Sequence, residues 1–324
     1  MKRLVFVLRR ILQGICVLLL IAVINFLLIR AAPGDPASVM AGEAGASDQI
    51  FVQQLRERFG LDKPVPQQLA TYLGHVIQLD LGQSYRQQRP VMDLIAERLP
   101  ATLLLTLTAF VIALTLGVAL GAWASARAGT WVDSLITTFS MLFYATPLVW
   151  LALMGVLLFS VKLEWFPGFG YETVGSGFTG LRRAADIANH LVLPAATLAL
   201  FYMTVYARMT RTSMLEVAQM DFIKTARAKG VHPRRIQRRH ILRNALLPVI
   251  TLAGIQAGAM VGGAVLAETV FAWPGIGRLM FDALLQRDYN LLLGTFLVTA
   301  ALAVAFNVLT DFLYTLADPR IELQ

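Results

Sequence analysis

Ten basic side chains crowd the segment between Arg208 and Arg243: Arg208, Arg211, Lys224, Arg227, Lys229, Arg234, Arg235, Arg238, Arg239 and Arg243. Only two acids, Glu216 and Asp221, oppose them. The chemistry open to such a cluster is electrostatic: it can hold a nucleic acid, an acidic lipid surface or an acidic groove in another protein. Aromatic side chains are not interleaved with these charges, which argues against nucleic acid. Local signals favour ordered structure here. Asp221 is placed to cap a helix over Phe222–Lys229, Gly230 lies just past its end, and Val231 follows where a closing apolar contact belongs. Phe222, Ile223 and Ala226 form an apolar face on that helix, and His232-Pro233 starts a second one carrying Ile236, Ile241 and Leu242. A short, capped, amphipathic helix is shaped for a groove in a partner; a positive anchor on acidic lipid is the competing reading.

Bond-making chemistry has no comparable support. No Gly-Lys pair occurs, so the chain has no phosphate-cradling P-loop. The four histidines, His75, His190, His232 and His240, show no metal-ligand spacing. Gly82-Gln83-Ser84 lacks the second glycine of a nucleophile elbow. The single cysteine, Cys16, rules out an intrachain disulfide and a cysteine-built metal site. No metal site and no cofactor bound by this chain is expected.

The elements that would position the basic segment are membrane spans. Hydrophobic residues make up 57% of the 324 and charged residues only 15%, a balance that would leave aggregating patches in water. Six stretches are long and apolar enough to cross a bilayer: Ile11–Ile29, Thr102–Ala126, Ser134–Val161, Ala188–Ala207, Asn244–Ala267 and Tyr289–Thr310. The first is too long for a signal-peptide core and reads as a retained anchor. The expected fold is all-α, a polytopic bundle of six transmembrane helices. Basic residues in short segments favour the side holding Lys2, Arg3, Arg9, Arg10, Arg127, the Arg208–Arg243 cluster and Arg320, so both termini should face the cytoplasm. Three regions follow: residues 1–30 as the cytoplasmic N-terminus and first span, 31–101 as a helical extracytoplasmic insertion, and 102–324 as the permeating domain with cytoplasmic loop 208–243. Helices are expected in the insertion over Ser47–Phe59, Pro66–Gln78 and Val91–Leu99.

Within the spans, Pro147, Pro194 and Pro248 mark possible kinks. Small residues at four-residue spacing, Gly117 and Gly121 in the second span and Gly254, Gly258 and Gly262 in the fifth, would let helices approach closely. The fifth span is expected to make the tightest contact, with Gln256 beside that ridge as a hydrogen-bonding or pathway residue. No Asp, Glu, Lys or Arg stands in the middle of a span, whereas ion-coupled carriers need such groups to couple ion and solute. Uphill transport by this chain would therefore draw on energy supplied from outside it. Trp273-Pro274-Gly275 forms a turn at the interfacial level, either an outer gating surface beneath a docked protein or an aromatic-belt anchor.

Several segments together carry a family resemblance. They are DFIKTARAKG (Asp221–Gly230) with HILRNALLPVITLAGIQ (His240–Gln256), APGDP (Ala32–Pro36), FGLDKP (Phe59–Pro64), DLGQSYRQQRPVMDLIAERLPATL (Asp80–Leu103), ETVFAWPGIGRLMFDALLQRDY (Glu268–Tyr289) and ADPRI (Ala317–Ile321). In this order they resemble the permease subunits of ATP-binding-cassette importers, in the dipeptide, oligopeptide and nickel branch, of the dipeptide-permease B type. The broader importer pattern opens with Glu-Ala-Ala where this chain has Lys224-Thr225-Ala226, and Leu247-Pro248 follows Gly230 at a longer interval; both features resemble that branch.

The resemblance implies a chain without enzymatic activity that forms a translocation pathway by alternating access in a bacterial inner membrane. Implied partners are a second homologous permease (a heterodimer), two cytoplasmic ATP-binding subunits and an extracytoplasmic solute-binding protein, with lipid around them and no nucleic acid. ATP and Mg would be bound in the ATPase subunits. Asp221, Lys224, Thr225, Ala226, Arg227, Ala228, Lys229 and Gly230 would dock on an ATPase subunit as a coupling helix. Dipeptides or short peptides are the expected solutes, because Met141, Met154, Met203 and Met260 are too scattered to mark a metal path. A nickel-complex or glutathione importer of the same family is the nearest alternative. A six-span receptor or scaffold stands further off.

Overall fold

The computed structural model describes residues 2–31, 50, 52–53 and 62–317. Within them the chain is helical: α1 (Lys2–Ala31), α2 (Val65–Ile77), α3 (Val91–Ala126), α4 (Trp131–Ala145), α5 (Leu148–Lys162), α6 (Gly180–Ala218), α7 (Asp221–Ala228), α8 (Pro233–Val270), α9 (Ile276–Leu285) and α10 (Tyr289–Ala317). Five helices are long and apolar enough to cross a membrane, or six if the bent pair α4–α5 counts as one span. The all-α, polytopic architecture is as expected. The helix anticipated over Ser47–Phe59 falls almost wholly outside the described residues, whereas the one starting near Pro66 is present as α2.

Three boundaries differ from the sequence reading. Val91–Leu99 is no separate helix but the first turns of α3, which runs on through Pro100. Proline there removes one backbone donor, while a buried stripe through Leu94, Ile95, Ala101, Leu105, Ala109 and Ala113 keeps the helix docked on both sides of it. The third span is broken. Thr146 is extended (ψ 128°), as a residue before proline prefers, and α4 and α5 meet at 104°. The second helix expected after Pro233 continues into the fifth span as one run, α8, with a π-helical stretch over Ile236–Leu242.

The central core is shared by α3, α5, α6 and α8, with Phe271 and Trp273 closing one end. The fifth span makes the closest glycine approach, where a Cβ on Gly254 would overlap Thr310, while the most extensive helix pair is α3 with α6. A Cβ on Gly117 would stand 2.6 Å from Tyr206 Cβ, and one on Gly121 2.7 Å from Thr210 Cβ, so only glycine permits this approach. Two smaller cores flank the bundle. One joins the starts of α3 and α10 to α9 through Val91, Leu94, Ile95, Ile276, Leu279 and Leu291. The other, at the opposite end, holds Met214, Val217, Ile223, Ala226, Ile236 and Ile241. α1 lies at the periphery against α10, and α2 caps its end, with the Phe26 and Tyr72 rings stacked at 5.7 Å and Arg30 donating to Gln68 at 2.7 Å.

Candidate functional site

The basic segment builds its projecting element from both ends. At its start Asp221 does not cap: Met220 occupies the cap position without a side-chain hydrogen bond, and Asp221 is the first helical residue. An acid in the first turn still suits the helix dipole, and Lys224 Nζ donates to Asp221 Oδ1 at 2.8 Å. At its end Gly230 takes φ +73°, Gly230 N donates to Arg227 O at 2.9 Å, and Val231 N donates to Ala226 O at 3.2 Å. This pair of bonds is the Schellman arrangement, and it places Val231 against the same core as Ala226. A Cβ on Gly230 would meet nothing within 4 Å, so glycine is needed there for its backbone conformation rather than for space.

Ile223 and Ala226, three residues apart, are the two buried side chains of α7. They seat the helix on the end of α6 and the π-helical start of α8. Phe222 does not join that face; it is 44% exposed. Ala226 accordingly serves as a seat and is not available to a partner. The surface left open carries Phe222, Lys224, Thr225, Arg227, Ala228 and Lys229, with Asp221 and Gly230 at its ends. One of the ten basics is committed elsewhere. Arg211 makes a bidentate pair with Asp133, Nε to Oδ1 at 2.6 Å and a second nitrogen to Oδ2 at 2.7 Å, which ties the start of α4 to α6. Asp133 also accepts from Gly129 N at 3.0 Å. It lies one residue before the expected third span, so a reading confined to the apolar run passed over it.

The remaining candidate residues separate by environment. Gly254 and Gly258 face Thr310, Asn307 and Ala303 of α10, whereas Gly262 faces nothing within 4 Å. Gln256 is half-buried beside them. Trp273 is fully buried, its Nε1 donating to Ala101 O at 2.8 Å and its ring meeting Tyr171 edge-on at 4.8 Å. Pro274 is half-buried and Gly275 buried. A ring enclosed in this way offers no face to another protein, so Trp273 fastens the corner between α8 and α9 to the start of α3.

Two acids at this end, Glu268 and Asp288, are buried although both stand outside the apolar runs. Glu268, next to the expected end of the fifth span, accepts from Thr102 Oγ1 at 2.6 Å and from Arg278 N at 3.0 Å. Asp288 caps α10 through Leu291 N at 3.2 Å and accepts from the Ser84 hydroxyl and from Arg86 N. Asn290 Nδ2 donates to Gln83 O at 3.0 Å, so the 80–90 turn is docked on this corner, and burial there pushes the Tyr85 hydroxyl up to about 12. A lone acid followed by Gly-x-Gly ahead of a helix was the available signal for Glu268.

A helical bundle with a basic, clamped helix at one end and a sealed corner at the other matches known proteins along its length. The family described as binding-protein-dependent transport system inner membrane component matches residues 117–323, and its N-terminal counterpart matches residues 3–106. The chain is 40% identical over 318 residues to the oligopeptide transport system permease protein AppB of Bacillus subtilis (strain 168), covering 98% of this chain and 99% of that protein. It is also 40% identical over 320 residues to the di/tripeptide transport system permease protein DppB of Pseudomonas aeruginosa (strain UCBPP-PA14), covering 94% of each. Among solved structures, a chain of the MetNI methionine ABC transporter in inward-facing conformations superposes with a TM-score of 0.57 at 17% identity, over 70% of this chain and 97% of that one, a likeness of fold. The chain belongs to the family of binding-protein-dependent transport system inner membrane components, the membrane-spanning permease subunits of ATP-binding-cassette importers.

Proposed function

We propose that this permease forms, with a second homologous permease, the pathway through which a bacterial inner membrane takes up dipeptides or short peptides. Two cytoplasmic ATPase subunits bind ATP and Mg and drive it, and an extracytoplasmic binding protein delivers the solute. The peptide assignment rests on relatives named for oligopeptide and di/tripeptide transport that align along nearly the whole chain. Both termini and α7 lie on the cytoplasmic side, and residues 31–101 on the outer side, in keeping with the concentration of basic residues around α7.

The observation that carries the mechanism is the seating of α7. Ile223 and Ala226 lock it to α6 and α8, so a push on α7 is delivered to two membrane-crossing helices at once. Its open face presents an aromatic anchor, Phe222, among Lys224, Arg227 and Lys229, which suits an apolar pocket with an acidic rim. ATP-driven closure of the ATPase pair would move α7, and with it the bundle, between inward- and outward-open arrangements.

Gly230→Glu tests this reading in proteoliposomes holding both permeases, the ATPases and the binding protein. A Cβ there meets nothing within 4 Å, and the left-handed backbone costs a non-glycine residue about 1–2 kcal/mol, so the protein should still fold and insert. Peptide uptake and its coupled ATP hydrolysis are expected to be abolished by an acid placed against an acidic rim. Wild-type uptake by the variant would refute the docking assignment. Uptake driven by an ion gradient without ATP would instead make the chain an ion-coupled carrier, and retention of a nickel complex or glutathione by the binding protein would change the solute.

A further inference from the structure

Glu268 has no part in the α7 surface, yet its side chain is fully buried. A carboxylate so close to the membrane interior is costly to keep unless it has specific partners, and here they come from the start of one short helix and from Thr102 of α3. The carboxylate accepts from Arg278 N at 3.0 Å. Thr102 Oγ1 donates to its other oxygen at 2.6 Å and in turn accepts from Ile276 N at 2.8 Å. Two of the first three N–H groups of α9, those of Ile276 and Arg278, are thus taken by side chains from α3 and α8. Its own cap residue, Gly275, has no side chain to offer. Space has been cleared for this arrangement. A Cβ on Gly275 would overlap the carboxyl group, and one on Gly277 would stand 2.6 Å from Val265 Cα and 2.9 Å from Glu268 Oε2.

We propose that Glu268 is a positioning residue that, through Thr102, latches α9 to α3 and α8 so that these three elements move as one body in the transport cycle. The inference rests on the permease reading and goes beyond it. α9 supplies Ile276, Leu279 and Ala283 to the core it shares with the starts of α3 and α10. Separating it would strip Ile276 N, Arg278 N and the Thr102 hydroxyl of their acceptors together, so the joint yields as a unit or not at all. α8 runs unbroken from the seat of α7 to Glu268, so movement imposed at α7 reaches α9 without slack while the latch holds. A loosened latch lets hydrolysis proceed without the matching rearrangement at the α9 end.

The test is the number of peptides taken up per ATP hydrolysed, measured in the complete transporter and normalised to assembled complex. Glu268→Gln and Thr102→Val are expected to hydrolyse ATP yet lose about tenfold in uptake per ATP, the change that corresponds to one lost buried hydrogen bond. Thr102→Ser keeps the hydroxyl and should restore the wild-type ratio, which a merely space-filling role for Thr102 would not produce. If Glu268→Gln fails to assemble, the Thr102→Val and Thr102→Ser pair decides alone. An unchanged ratio in the variants that assemble overturns the latch, including when total uptake falls only in step with assembled complex. Absence of ATP-driven uptake by the wild-type transporter would instead count against the permease reading.

Discussion

Asp133 and Arg211 belong to helices whose pairing the apolar pattern does not announce, and their bidentate contact joins α4 to α6. Asp133 is 6% exposed and Arg211 31%, so the pair is neither fully screened nor fully desolvated. Removing one partner leaves the other without its main counter-charge. Asp133→Ala is therefore expected to lower the thermal midpoint of the detergent-solubilised protein. Adding Arg211→Ala should recover part of the loss, with a coupling energy of about 0.5–3 kcal/mol in a double-mutant cycle. Strict additivity of the two changes would mean that the contact holds nothing. Single residues were legible in the sequence where local chain chemistry governs them. Gly230 ends α7 in the left-handed conformation its position suggested, and Val231 closes the motif. Asp221 was misread as the cap because Met220 adopts the extended cap backbone first, leaving the acid inside the helix.

Among the elements, the glycine ridges separate by what lies opposite them. Gly121→Ala must push against the α6 backbone and Thr210, and overpacking of that kind costs about 1–3 kcal/mol. Gly262→Ala meets nothing within 4 Å and gains helix propensity of about 1 kcal/mol. Thermal unfolding of the two variants should accordingly shift in opposite directions, and a larger loss at Gly262 would contradict the packing described. Spacing alone marked both ridges but could not rank them, since a ridge has meaning only once its neighbour is known. The break between α4 and α5 has the same character. Pro147 marked a possible kink, while burial of Ala152 and Val156 in the central core belongs to the bent arrangement.

For the molecule as a whole, the net charge of +8 equals the excess in the Arg208–Arg243 segment, and the rest of the chain carries eighteen charges of each sign. The chain is thus electrically lopsided, and the side bearing α7 is expected to be cytoplasmic. After Cys16→Ser, an impermeant thiol reagent applied to right-side-out vesicles should label Gln87→Cys, exposed in the turn docked at the α9 end. It should leave Lys229→Cys unlabelled until the membrane is opened. The reverse labelling would invert the topology and remove α7 from contact with a cytoplasmic ATPase.

By itself the sequence determined the solvent, the approximate spans, the basic helix closed by Gly230 and the absence of recognisable catalytic spacing. These follow from composition and from interactions within a few residues, which the chain carries wherever it goes. Only the tertiary structure decided that Ala226 is a seat and Phe222 exposed, that Trp273 is sealed inside, and that Glu268 holds the start of α9. Thr102 and Glu268 are 166 residues apart, and their pairing exists only because α3, α8 and α9 converge at one corner. A buried acid just beyond an apolar run looks, in sequence, like any other interfacial charge. Its meaning comes from donors that distant segments bring to it.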